Sequence, residues 1–528
     1  MKLTDILGGS FDAARWERKG YELPKYDIKA LREKTAQEPT WVHFGGGNIF
    51  RAFPAAILND ALNTGQYDRG VIVAETFDFE VIDKAYAPYG NLSLAVSLCS
   101  NGTIVKKVIG SVTEALKADP QFPDWQRLEE IFCKPSLQMI SFTITEKGYT
   151  FNEADLARGM KPLFAMGKVC ALLYERFKAG QLPLTVQSMD NCSHNGDKVK
   201  AGVFAYARRW VADGLVPTAF LDYLEDETKI TFPWSMIDKI TPRPHEKVKE
   251  MLAADGFEDN DYIETEKHTF TAPFVNAEEV QYLVIEDNYT NGRPPLHLGG
   301  ALYTTREIVD KVEMMKVCTC LNPLHTAMAL YGCMLGYTLI SAEMKDPDIR
   351  PFVQKLGYME AMPVVVDPGV LNPYEFIGAV INRRLPNPFM PDAPQRIAMD
   401  TSQKLPIRFG ETLKKYIARG LDKSNLVLIP LVFAGYARYL KGIKDDGTPF
   451  EPSPDPLLQE MKAIVAPLET GKPDQDWSPL KQLYSRADIF GVNLYEAGLG
   501  EQVEGMVKEL YAGPGAVRAT LHKYVEAR

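Results

Sequence analysis

The chain has 528 residues, which is long enough for two or three domains and a large buried core. Its composition, with 45% hydrophobic and 24% charged residues, is typical of a globular protein. The formal net charge of −10 argues against non-specific binding to nucleic acid or to an anionic membrane, so neither is expected as a partner.

Neither a secretion signal nor a membrane span is predicted. Residues 1–20 carry charges throughout and contain no unbroken apolar core. The most apolar windows, residues 326–342 and 426–437, are shorter than the ~20 residues of a spanning helix and are predicted to be buried helices. A cytoplasmic location is therefore expected.

The cysteines predict reduced thiols rather than disulfides or a metal site. There are seven, an odd number, and no two form a Cys-X-X-Cys pair. Cys318 and Cys320 lie close to His325 in the sequence, but this spacing matches no common zinc pattern. We therefore expect no metal.

The first half of the chain alternates apolar strands with helical segments. The predicted strands are residues 41–44, 71–74, 139–145 and 184–188. The predicted helical segments are residues 51–62, 80–86 and 155–178. This alternation predicts an α/β fold with a mostly parallel sheet, in which ligands bind at the carboxyl ends of the strands.

Helical spacing dominates after about residue 300. The predicted helices of this region are residues 302–315, 323–343, 373–383 and 402–419. A boundary is expected within residues 292–300, which are rich in glycine and proline. The predicted domains are thus residues 1–300, with an N-terminal extension, and a mainly α-helical domain of residues 301–528.

A glycine-rich turn, WVHFGGGNIFRAF, follows the first predicted strand. In the dinucleotide fingerprint GxGxxG the first glycine allows a tight turn and the second lets the backbone approach the pyrophosphate. Gly45 and Gly47 fill these positions, whereas Phe50 stands where the third glycine is expected. The next strand ends in Glu75, with Asp78 beyond it, and an acid there would bind the adenosine ribose and repel a 2′-phosphate. The alternative is a tight turn with an ordinary surface acid.

Two further polar segments follow predicted strands. They are TITEKGY at residues 143–149 and DNCSHNGD at residues 190–197. Because the carboxyl ends of parallel strands meet at one edge of a sheet, we expect both to share a ligand site with the glycine turn in a Rossmann-like domain. A purely structural loop could have either composition.

The segment MKVCTCLNPLH, residues 315–325, combines a lysine, an asparagine and a histidine. Asn322 followed by proline is typical of a helix N-cap, and His325 would lie at the same end of that helix. On a straight helix Lys316 would lie opposite His325, so the three can act together only if the chain changes course between 316 and 322. Each also has a structural interpretation, as a cap, a buried histidine and a solvated lysine.

In their order along the chain these segments resemble the long-chain polyol and sugar-acid dehydrogenases, the mannitol dehydrogenase family. The resemblance runs from about residue 38 to beyond residue 410. Its motifs are GGGNIFRA at 45–52, TEKGY at 145–149, DNxxxNG at 190–196, FPxSMxDxITP at 232–242, VIEDxxxxGRPP at 284–295 and RIAMDTSQKLP at 396–406. The family turn has the form GxGxFxRA, which accounts for Phe50.

The resemblance implies an oxidoreductase that interconverts a secondary alcohol and a ketone with a nicotinamide cofactor and no metal. The implied catalytic residues are Lys316 as general base, Asn191 and Asn322 as donors to the substrate oxygen, and His325 to orient substrate hydroxyls. The implied cofactor-binding residues are Gly45, Gly47, Asn48, Ile49, Phe50, Arg51, Glu75, Asp78, Glu146, Lys147 and Asn191. The implied substrate-binding residues are Asp238, Arg396 and Lys404, of which the two cations could pair with a carboxylate, Arg396 as a bidentate fork.

One spacing departs from the family pattern K-x4-N-x2-H. Asn322 lies six positions after Lys316 instead of five, and an ungapped alignment would put Val317, which cannot accept a proton, at the base position. We predict that Lys316 is the base and that a one-residue bulge precedes the helix. Such a lysine needs a pKa below the usual ~10.4, which burial and nearby cations provide.

The motif MDxSQKLPxR, from Met399 to Arg408, resembles the fructuronate reductase branch of the family more than the mannitol branch. It implies reversible reduction of D-fructuronate to D-mannonate with NADH, and Glu75 favours NAD over NADP. The alternatives are tagaturonate reductase, mannitol 2-dehydrogenase and, from a different class, an NAD-binding sensor without catalysis. A monomer and a homodimer both remain open.

Overall fold

A computed structural model describes residues 1–8 and 11–528. The described residues divide into two compact units, the first comprising residues 1–99 and 103–310 and the second residues 100–102 and 311–528. Strands are found in the first unit, whereas the second unit is built from helices.

The strands are labelled in chain order. They are β1 (Tyr21–Glu22), β2 (Trp41–Phe44), β3 (Val71–Glu75), β4 (Ser93–Leu98), β5 (Ile104–Ile109), β6 (Val112–Lys117), β7 (Met139–Phe142), β8 (Leu184–Ser188), β9 (Ile230–Thr231), β10 (Ser235–Asp238), β11 (Ile263–Glu264), β12 (Phe270–Thr271), β13 (Phe274–Glu278), β14 (Tyr282–Glu286) and β15 (Leu302–Thr304).

The main sheet of the first unit is parallel throughout, with the strand order β6-β3-β2-β7-β8-β9. From β2 the chain first builds one half of the sheet, through β3 and β6, and then crosses to β7 on the other side. The point between β2 and β7 is therefore the topological switch, where Rossmann folds bind their ligands at the carboxyl ends of the strands. Smaller sheets have the orders β1-β5-β4-β13, β10-β14-β15 and β11-β12.

Both faces of the main sheet are covered, which explains the unbroken apolar character of its central strands. Val42 and Phe44 of β2 face a core that includes residues of helices Ala165–Lys178 and Asn195–Ala212. Trp41, one position along, belongs to the core on the opposite face with residues of helix Pro54–Asn63.

The α-helices up to the division are Ala13–Arg18, Ile28–Gln37, Asn48–Ala52, Pro54–Asn63, Asp124–Phe132, Ala165–Lys178, Asn195–Ala212, Ala219–Glu225, Glu246–Ala254 and Arg306–Met315, which spans it. The 3₁₀ and π turns are Leu3–Leu7, Ile82–Tyr86, Ala87–Tyr89, Glu146–Tyr149, Glu153–Arg158 and Leu296–Gly299.

The α-helices of the second unit are Asn322–Met334, Ile340–Glu343, Ile349–Lys355, Pro373–Ala379, Pro394–Ile397, Thr401–Leu405, Glu411–Ala418, Leu428–Tyr439, Leu458–Val465, Ser478–Tyr484, Ala487–Phe490, Gly500–Leu510 and Ala516–Ala527. The π and 3₁₀ turns are Lys316–Cys320, Leu356–Ala361, Met362–Val364, Val380–Arg384, Pro406–Gly410 and Lys423–Asn425.

Two of these helices form the centre of the second unit. Every residue of Leu428–Tyr439 is buried, and Asn322–Met334 is buried on nearly all sides. The buried carboxylate of Glu360 accepts the N–H groups of Leu428 and Ile429, both at 2.8 Å, and so caps the start of helix Leu428–Tyr439. The buried helix predicted at 426–437 is thus confirmed, and the one predicted at 326–342 is confirmed as far as Met334. No helix in residues 1–8 and 11–528 has the length and apolarity needed to cross a membrane.

The strand predictions were correct except at two ends. Strand β3 extends one residue further than predicted, to Glu75. Strand β7 ends at Phe142, not at 145, because Thr145 takes φ +66° and turns the chain. Residues 302–304, predicted as helix, instead form β15, which pairs in parallel with β14 and keeps this segment in the first unit. The division between the two compact units falls after Asp310.

Several predicted helices are interrupted, each for a local reason. The segment predicted at 323–343 breaks after Met334, because Gly336 adopts a left-handed conformation with φ +83° that ends the helix. The segment predicted at 155–178 is α-helical only from Ala165, after a left-handed Gly159. Near the glycine turn, Phe53 leaves helical geometry immediately before Pro54 and so splits the predicted helix 51–62.

Candidate active site

The glycine turn follows β2 at the switch point of the main sheet. Gly45 has φ +105°, and a Cβ there would lie 2.4 Å from the carbonyl oxygen of Thr143. Its N–H donates to the carbonyl of Ala74, at the end of β3, over 2.9 Å. A side chain at position 45 would strain this backbone conformation and clash with Thr143, so the fold requires glycine there.

Gly47 has the opposite character. Its φ of −73° suits any residue, and a Cβ there would meet no atom within 4 Å. It directly precedes helix Asn48–Ala52, whose first N–H groups have no partner within the helix. Open space beside the backbone at a helix start is what a pyrophosphate needs for close approach, so the turn fits a dinucleotide with Gly47 as the nearest point.

Phe50 explains how the turn works without a third glycine. Its buried ring stacks on the imidazole of His43 in β2, with centroids 4.1 Å apart and planes at 12°. The nitrogens of His43 lie 2.7 Å from Ser141 Oγ and 2.8 Å from Thr143 Oγ1, and burial lowers its pKa to about 3, so the ring is neutral. The helix therefore rests on the sheet through stacked rings, and Ile49 packs on the core of the same face.

Asn48 and Arg51 anchor the turn to β12 and the segment after it. Arg51 is buried and donates to the carbonyl of Ala272 and to Asn48 Oδ1, both at 2.9 Å, and to the hydroxyl of Thr271. Burial lowers the pKa of Arg51, and no carboxylate among the described residues pairs with it. Its positive charge beside the turn favours an anion there.

Glu75, at the carboxyl end of β3, binds the glycine turn directly. Its Oε2 accepts the N–H of Gly46 at 2.8 Å, and its Oε1 accepts those of Thr76 and Phe77 at 3.0 Å each. The carboxylate is therefore held in one position beside the turn, where an acid is expected to meet the ribose of a dinucleotide.

Asp78 is engaged elsewhere. Its Oδ2 accepts the hydroxyl of Thr265 at 2.6 Å and that of Thr269, so it connects the end of β3 to the hairpin of β11 and β12. The residue is also buried. The structure brings Glu75 to the glycine turn and commits Asp78 to this hairpin.

Asp190 joins the two polar loops that follow β7 and β8. Its Oδ2 accepts the N–H of Ile144 at 2.9 Å, its Oδ1 that of Thr145 at 3.1 Å, and the hydroxyl of Tyr149 also donates to it. Burial raises the pKa of Asp190, although these donors oppose the shift. Sequence reasoning left Asp190 out of the site, although it is the first letter of the DNxxxNG motif.

The two asparagines of that motif have different surroundings. Asn191 is exposed at the end of β8, where a ligand can reach it. Asn195 is buried, donates to Ser235 Oγ at 3.0 Å and accepts the N–H of Ser235 at 2.9 Å, so it ties the loop to β10. Asp238 is the last residue of β10 and is buried.

Glu146 and Lys147 are both exposed on the loop after β7. The carboxylate of Glu146 pairs with Lys198 at 2.6 Å. The main-chain carbonyl of Lys147 accepts the hydroxyl of Thr150 at 2.9 Å, which closes the short turn. Both residues lie at the carboxyl edge of the sheet, where a cofactor contact is expected. These contacts do not join them to the glycine turn.

In the second unit Lys316 opens the π-helical turn Lys316–Cys320, and its carbonyl accepts the N–H of Leu321 at 3.1 Å. A π turn holds one residue more than an α turn, so it absorbs the extra residue before Asn322. The predicted one-residue bulge is thus confirmed. Leu321 then departs from helical geometry, which changes the course of the chain as expected. Lys316 itself is buried, with 4% of its surface exposed.

Asn322 does not cap the helix that follows. Leu321 is the N-cap, Asn322 the first helical residue, and no side chain makes a capping bond. The interpretation of Asn322 as a cap is therefore wrong. Its side chain is partly exposed, and its amide donates to no acceptor within residues 1–8 and 11–528. His325, in the next turn, is also partly exposed.

The two predicted substrate cations differ in environment. Arg396 is exposed, at 65%, and its Nε donates to Asp392 Oδ1 at 2.7 Å. Lys404 is partly buried and donates to the carbonyl of Ile397 at 3.0 Å. Burial, assisted by the charge of Arg408, lowers the pKa of Lys404 to about 8.

Arg408 is a cation that sequence reasoning missed. One of its guanidinium nitrogens, Nη1, donates to the carbonyl of Asn322 at 3.2 Å and to the hydroxyl of Thr326 at 2.6 Å. Burial lowers the pKa of Arg408 to about 10. The available signal was its spacing, four residues after Lys404 in the motif SQKLPxR.

Within residues 1–8 and 11–528, no three His, Cys, Asp or Glu side chains cluster in a way that could hold a metal ion. All seven cysteines lie in this part of the chain and are free thiols.

A parallel sheet with a dinucleotide-type glycine turn at its switch point, joined to a helical unit that carries a buried lysine, is the arrangement of a two-domain dehydrogenase. Family profiles agree: the mannitol dehydrogenase Rossmann domain matches residues 39–298 and the mannitol dehydrogenase C-terminal domain matches residues 308–511. The chain belongs to the mannitol dehydrogenase family. This confirms the predicted family, the predicted enzyme class and the fold of a Rossmann domain followed by a helical domain.

Individual relatives cover nearly the whole chain. The D-mannonate oxidoreductase of Thermotoga maritima is 52% identical over 528 residues, 97% of each chain. A D-sorbitol dehydrogenase crystallised in substrate-free form superposes with a TM-score of 0.78 at 26% identity, over 95% of this chain and 97% of that one. Pseudomonas fluorescens mannitol 2-dehydrogenase, solved as a ternary complex with NAD and D-mannitol, has a TM-score of 0.67 at 24% identity, over 96% and 97% of the chains.

Proposed function

We propose that the chain is an NAD-dependent oxidoreductase that reversibly reduces D-fructuronate to D-mannonate. The observation that carries this proposal is the 52% identity, over 97% of both chains, with the D-mannonate oxidoreductase of Thermotoga maritima. Because the match covers 97% of the chain, it extends over both units.

The first unit binds the dinucleotide. Gly47 admits the pyrophosphate to the backbone, Gly45 shapes the turn and the buried charge of Arg51 favours the phosphates. Asn48, Ile49 and Phe50 support the same turn, and Glu146, Lys147 and Asn191 complete the cofactor site from the loops after β7 and β8. Asp78 supports the site indirectly, by holding the hairpin of β11 and β12 at the end of β3.

NAD is preferred over NADP because of Glu75. Its carboxylate is held by main-chain N–H groups at the end of β3, so it cannot swing away from a ligand at the turn. A fixed negative charge accepts hydrogen bonds from ribose hydroxyls and repels a 2′-phosphate.

The second unit supplies the acid–base chemistry. When bound, NADH provides the hydride that reduces the ketone. Lys316 gives a proton to the carbonyl oxygen during reduction and takes it back from the alcohol during oxidation, so no metal is needed. Asn322 donates a hydrogen bond to the same oxygen, and donors of this kind are worth about 3 kcal/mol. His325 and Lys404 hold the remaining polar groups of the substrate.

Two residues of the first unit and one further cation complete the proposed set. Asn191 is a second donor to the substrate oxygen, and Asp238 binds the substrate. Arg396 binds the substrate electrostatically. The protein acts in the cytoplasm, which agrees with its free thiols.

The proposal is tested with purified protein, NADH or NADPH, and a panel of D-fructuronate, D-tagaturonate and D-fructose, with cofactor oxidation followed by absorbance. We expect the highest kcat/KM with D-fructuronate and NADH. Faster turnover of D-fructose than of either uronate would refute the substrate assignment. Tight NADH binding without turnover of any substrate would favour a sensor, and sedimentation of the same sample distinguishes a monomer from a homodimer.

A further inference from the structure

Arg408 carries a positive charge that the protein itself does not neutralise. Its Nη1 is occupied by two neutral acceptors, the carbonyl of Asn322 at 3.2 Å and the hydroxyl of Thr326 at 2.6 Å. No carboxylate among the described residues forms an ion pair with it, although burial disfavours its charged form. Leaving a desolvated charge without a counter-ion is costly, so such a residue marks a place where an anion binds.

The remaining donors of Arg408 have the geometry that a carboxylate requires. Only Nη1 is engaged within residues 1–8 and 11–528, so Nε and Nη2 keep their hydrogens for a ligand. These two nitrogens form one edge of the planar guanidinium, and an edge of this kind binds both oxygens of a carboxylate in parallel. The side chain is partly exposed, so a ligand can reach it.

Lys404 adds a second positive charge. Lys404 lies four residues before Arg408 in the sequence, and the charge of Arg408 helps to lower the pKa of Lys404. Its ammonium group donates to the carbonyls of Ile397 and Met399, so one of its three hydrogens remains for a ligand. Asp400 and Asp455 offset part of the charge at Lys404, and neither pairs with Arg408.

We infer that Arg408 binds the carboxylate of the substrate, with Lys404 beside it, and that this contact selects sugar acids over polyols and ketoses. The inference rests on the proposed function, since it names the part of the proposed substrate that the residue contacts. It also moves the bidentate role away from Arg396, which is exposed and already paired with Asp392. The bond from Arg408 to the carbonyl of Asn322 fixes this carboxylate site beside the proposed oxygen donor.

The experiment compares substrates with and without the carboxylate. D-fructuronate and D-fructose are reduced with NADH by the wild-type protein, by Arg408→Gln and by the control Arg419→Gln, an exposed arginine whose single bond, to the carbonyl of Pro363, is 3.3 Å long. We expect Arg408→Gln to lower kcat/KM for D-fructuronate roughly 100-fold or more, mainly through KM, because it leaves the carboxylate without a charged partner. With D-fructose the change should stay within about threefold, and the control should match the wild type.

A binding readout separates this inference from the proposed reaction. D-mannonate and D-mannitol are tested for their effect on the Tm of the wild type and of Arg408→Gln, and D-mannonate should raise the Tm of the wild type alone. If D-fructuronate is not reduced but D-mannonate still shows this pattern, the reaction is wrong and the carboxylate site stands. If D-mannonate raises the Tm of both proteins equally, or raises neither, the inference is overturned.

Two results would assign Arg408 a structural role instead. One is an equal loss of activity with D-fructuronate and D-fructose in a variant whose circular dichroism is unchanged. The other concerns Arg408→Lys, which decides the question if Arg408→Gln fails to fold. A lysine keeps the charge but lacks the two-donor edge, so a loss of about 10-fold confined to D-fructuronate supports the inference and an equal loss with both substrates overturns it.

Discussion

Replacing Gly47 by alanine should weaken NADH binding without weakening the fold. Its φ of −73° is accessible to alanine, and a Cβ there meets no atom within 4 Å. The substitution restricts the unfolded chain by about 0.4–1 kcal/mol, but alanine is a poorer helix N-cap than glycine by a similar amount, so the free energy of unfolding should change by less than about 1 kcal/mol. The same methyl group would occupy the space through which the pyrophosphate approaches. The Kd for NADH should therefore rise about 10-fold or more, which corresponds to about 1.4 kcal/mol.

Two other glycines provide matched controls for the same chemical change. At Gly45, with φ +105°, a Cβ would lie 2.4 Å from a main-chain oxygen that cannot move aside, so alanine should cost roughly 3–5 kcal/mol of stability and distort the turn. At Gly505, inside helix Gly500–Leu510, the Cβ meets no atom within 4 Å, so alanine should add up to about 1 kcal/mol and leave NADH binding unchanged.

The measurements are NADH fluorescence titration for the Kd and urea unfolding without cofactor for stability. The three variants should give three different patterns: binding lost with stability kept, both lost, and both kept. If Gly47→Ala binds NADH within about twofold of the wild-type Kd, Gly47 is not the point of closest approach. The assignment of the turn to the pyrophosphate would then be wrong.

Four further predictions concern acid–base groups. Lys316→Ala should lower kcat about 10³-fold with little change in the Kd for NADH, and near-normal turnover would exclude Lys316 as the base. Glu75→Gln should raise kcat/KM with NADPH relative to NADH about 10-fold or more, while an unchanged ratio would mean that Glu75 only supports the turn. Burial holds the pKa of Glu343 in the folded protein well above its usual range. The protonated side chain therefore stabilises the fold fully at pH values below the pKa of the unfolded state, and this contribution is lost as the pH rises. From about pH 5 to about pH 8 the Tm should fall more steeply in the wild type than in Glu343→Gln, and parallel curves would contradict this. Burial, Arg408 and Arg396 lower the pKa of Lys404 to about 8, although Asp400 and Asp455 oppose the shift. Lys404 should lose its charge as the pH rises through that value, so the KM for D-fructuronate should rise there and the KM for D-fructose should not.

Local sequence patterns were sufficient for much of the first unit. Four strands of the main sheet were placed from their apolar runs, and the parallel arrangement followed from their alternation with helices. A strand buried on both faces must be apolar along its whole length, so the pattern can be read without knowing its neighbours. Sequence alone also identified Gly45, because a left-handed turn excludes most side chains.

The sequence could not show which atoms each residue of the glycine turn contacts. Phe50 replaces a glycine because its ring stacks on His43, and nothing local to either residue predicts that contact. Glu75 was expected to meet a ribose, yet it also holds the N–H of Gly46, a residue 29 positions earlier. Contacts of this kind depend on which strands become neighbours in the sheet.

In the second unit, too, the sequence predicted local features, whereas contacts between distant residues became visible only in the structure. The order Lys316, Asn322 and His325 was readable, and so was the need for a bulge, because inserting one residue in a helix rotates everything beyond it. That the bulge is a π turn, and that Asn322 leaves its amide unused, required the helix geometry. Arg408 reaches Asn322 across 86 residues, so its importance follows only from the folded chain. Residue types and spacing determined the chemistry available to this protein, and tertiary packing decided which charges remain without a partner.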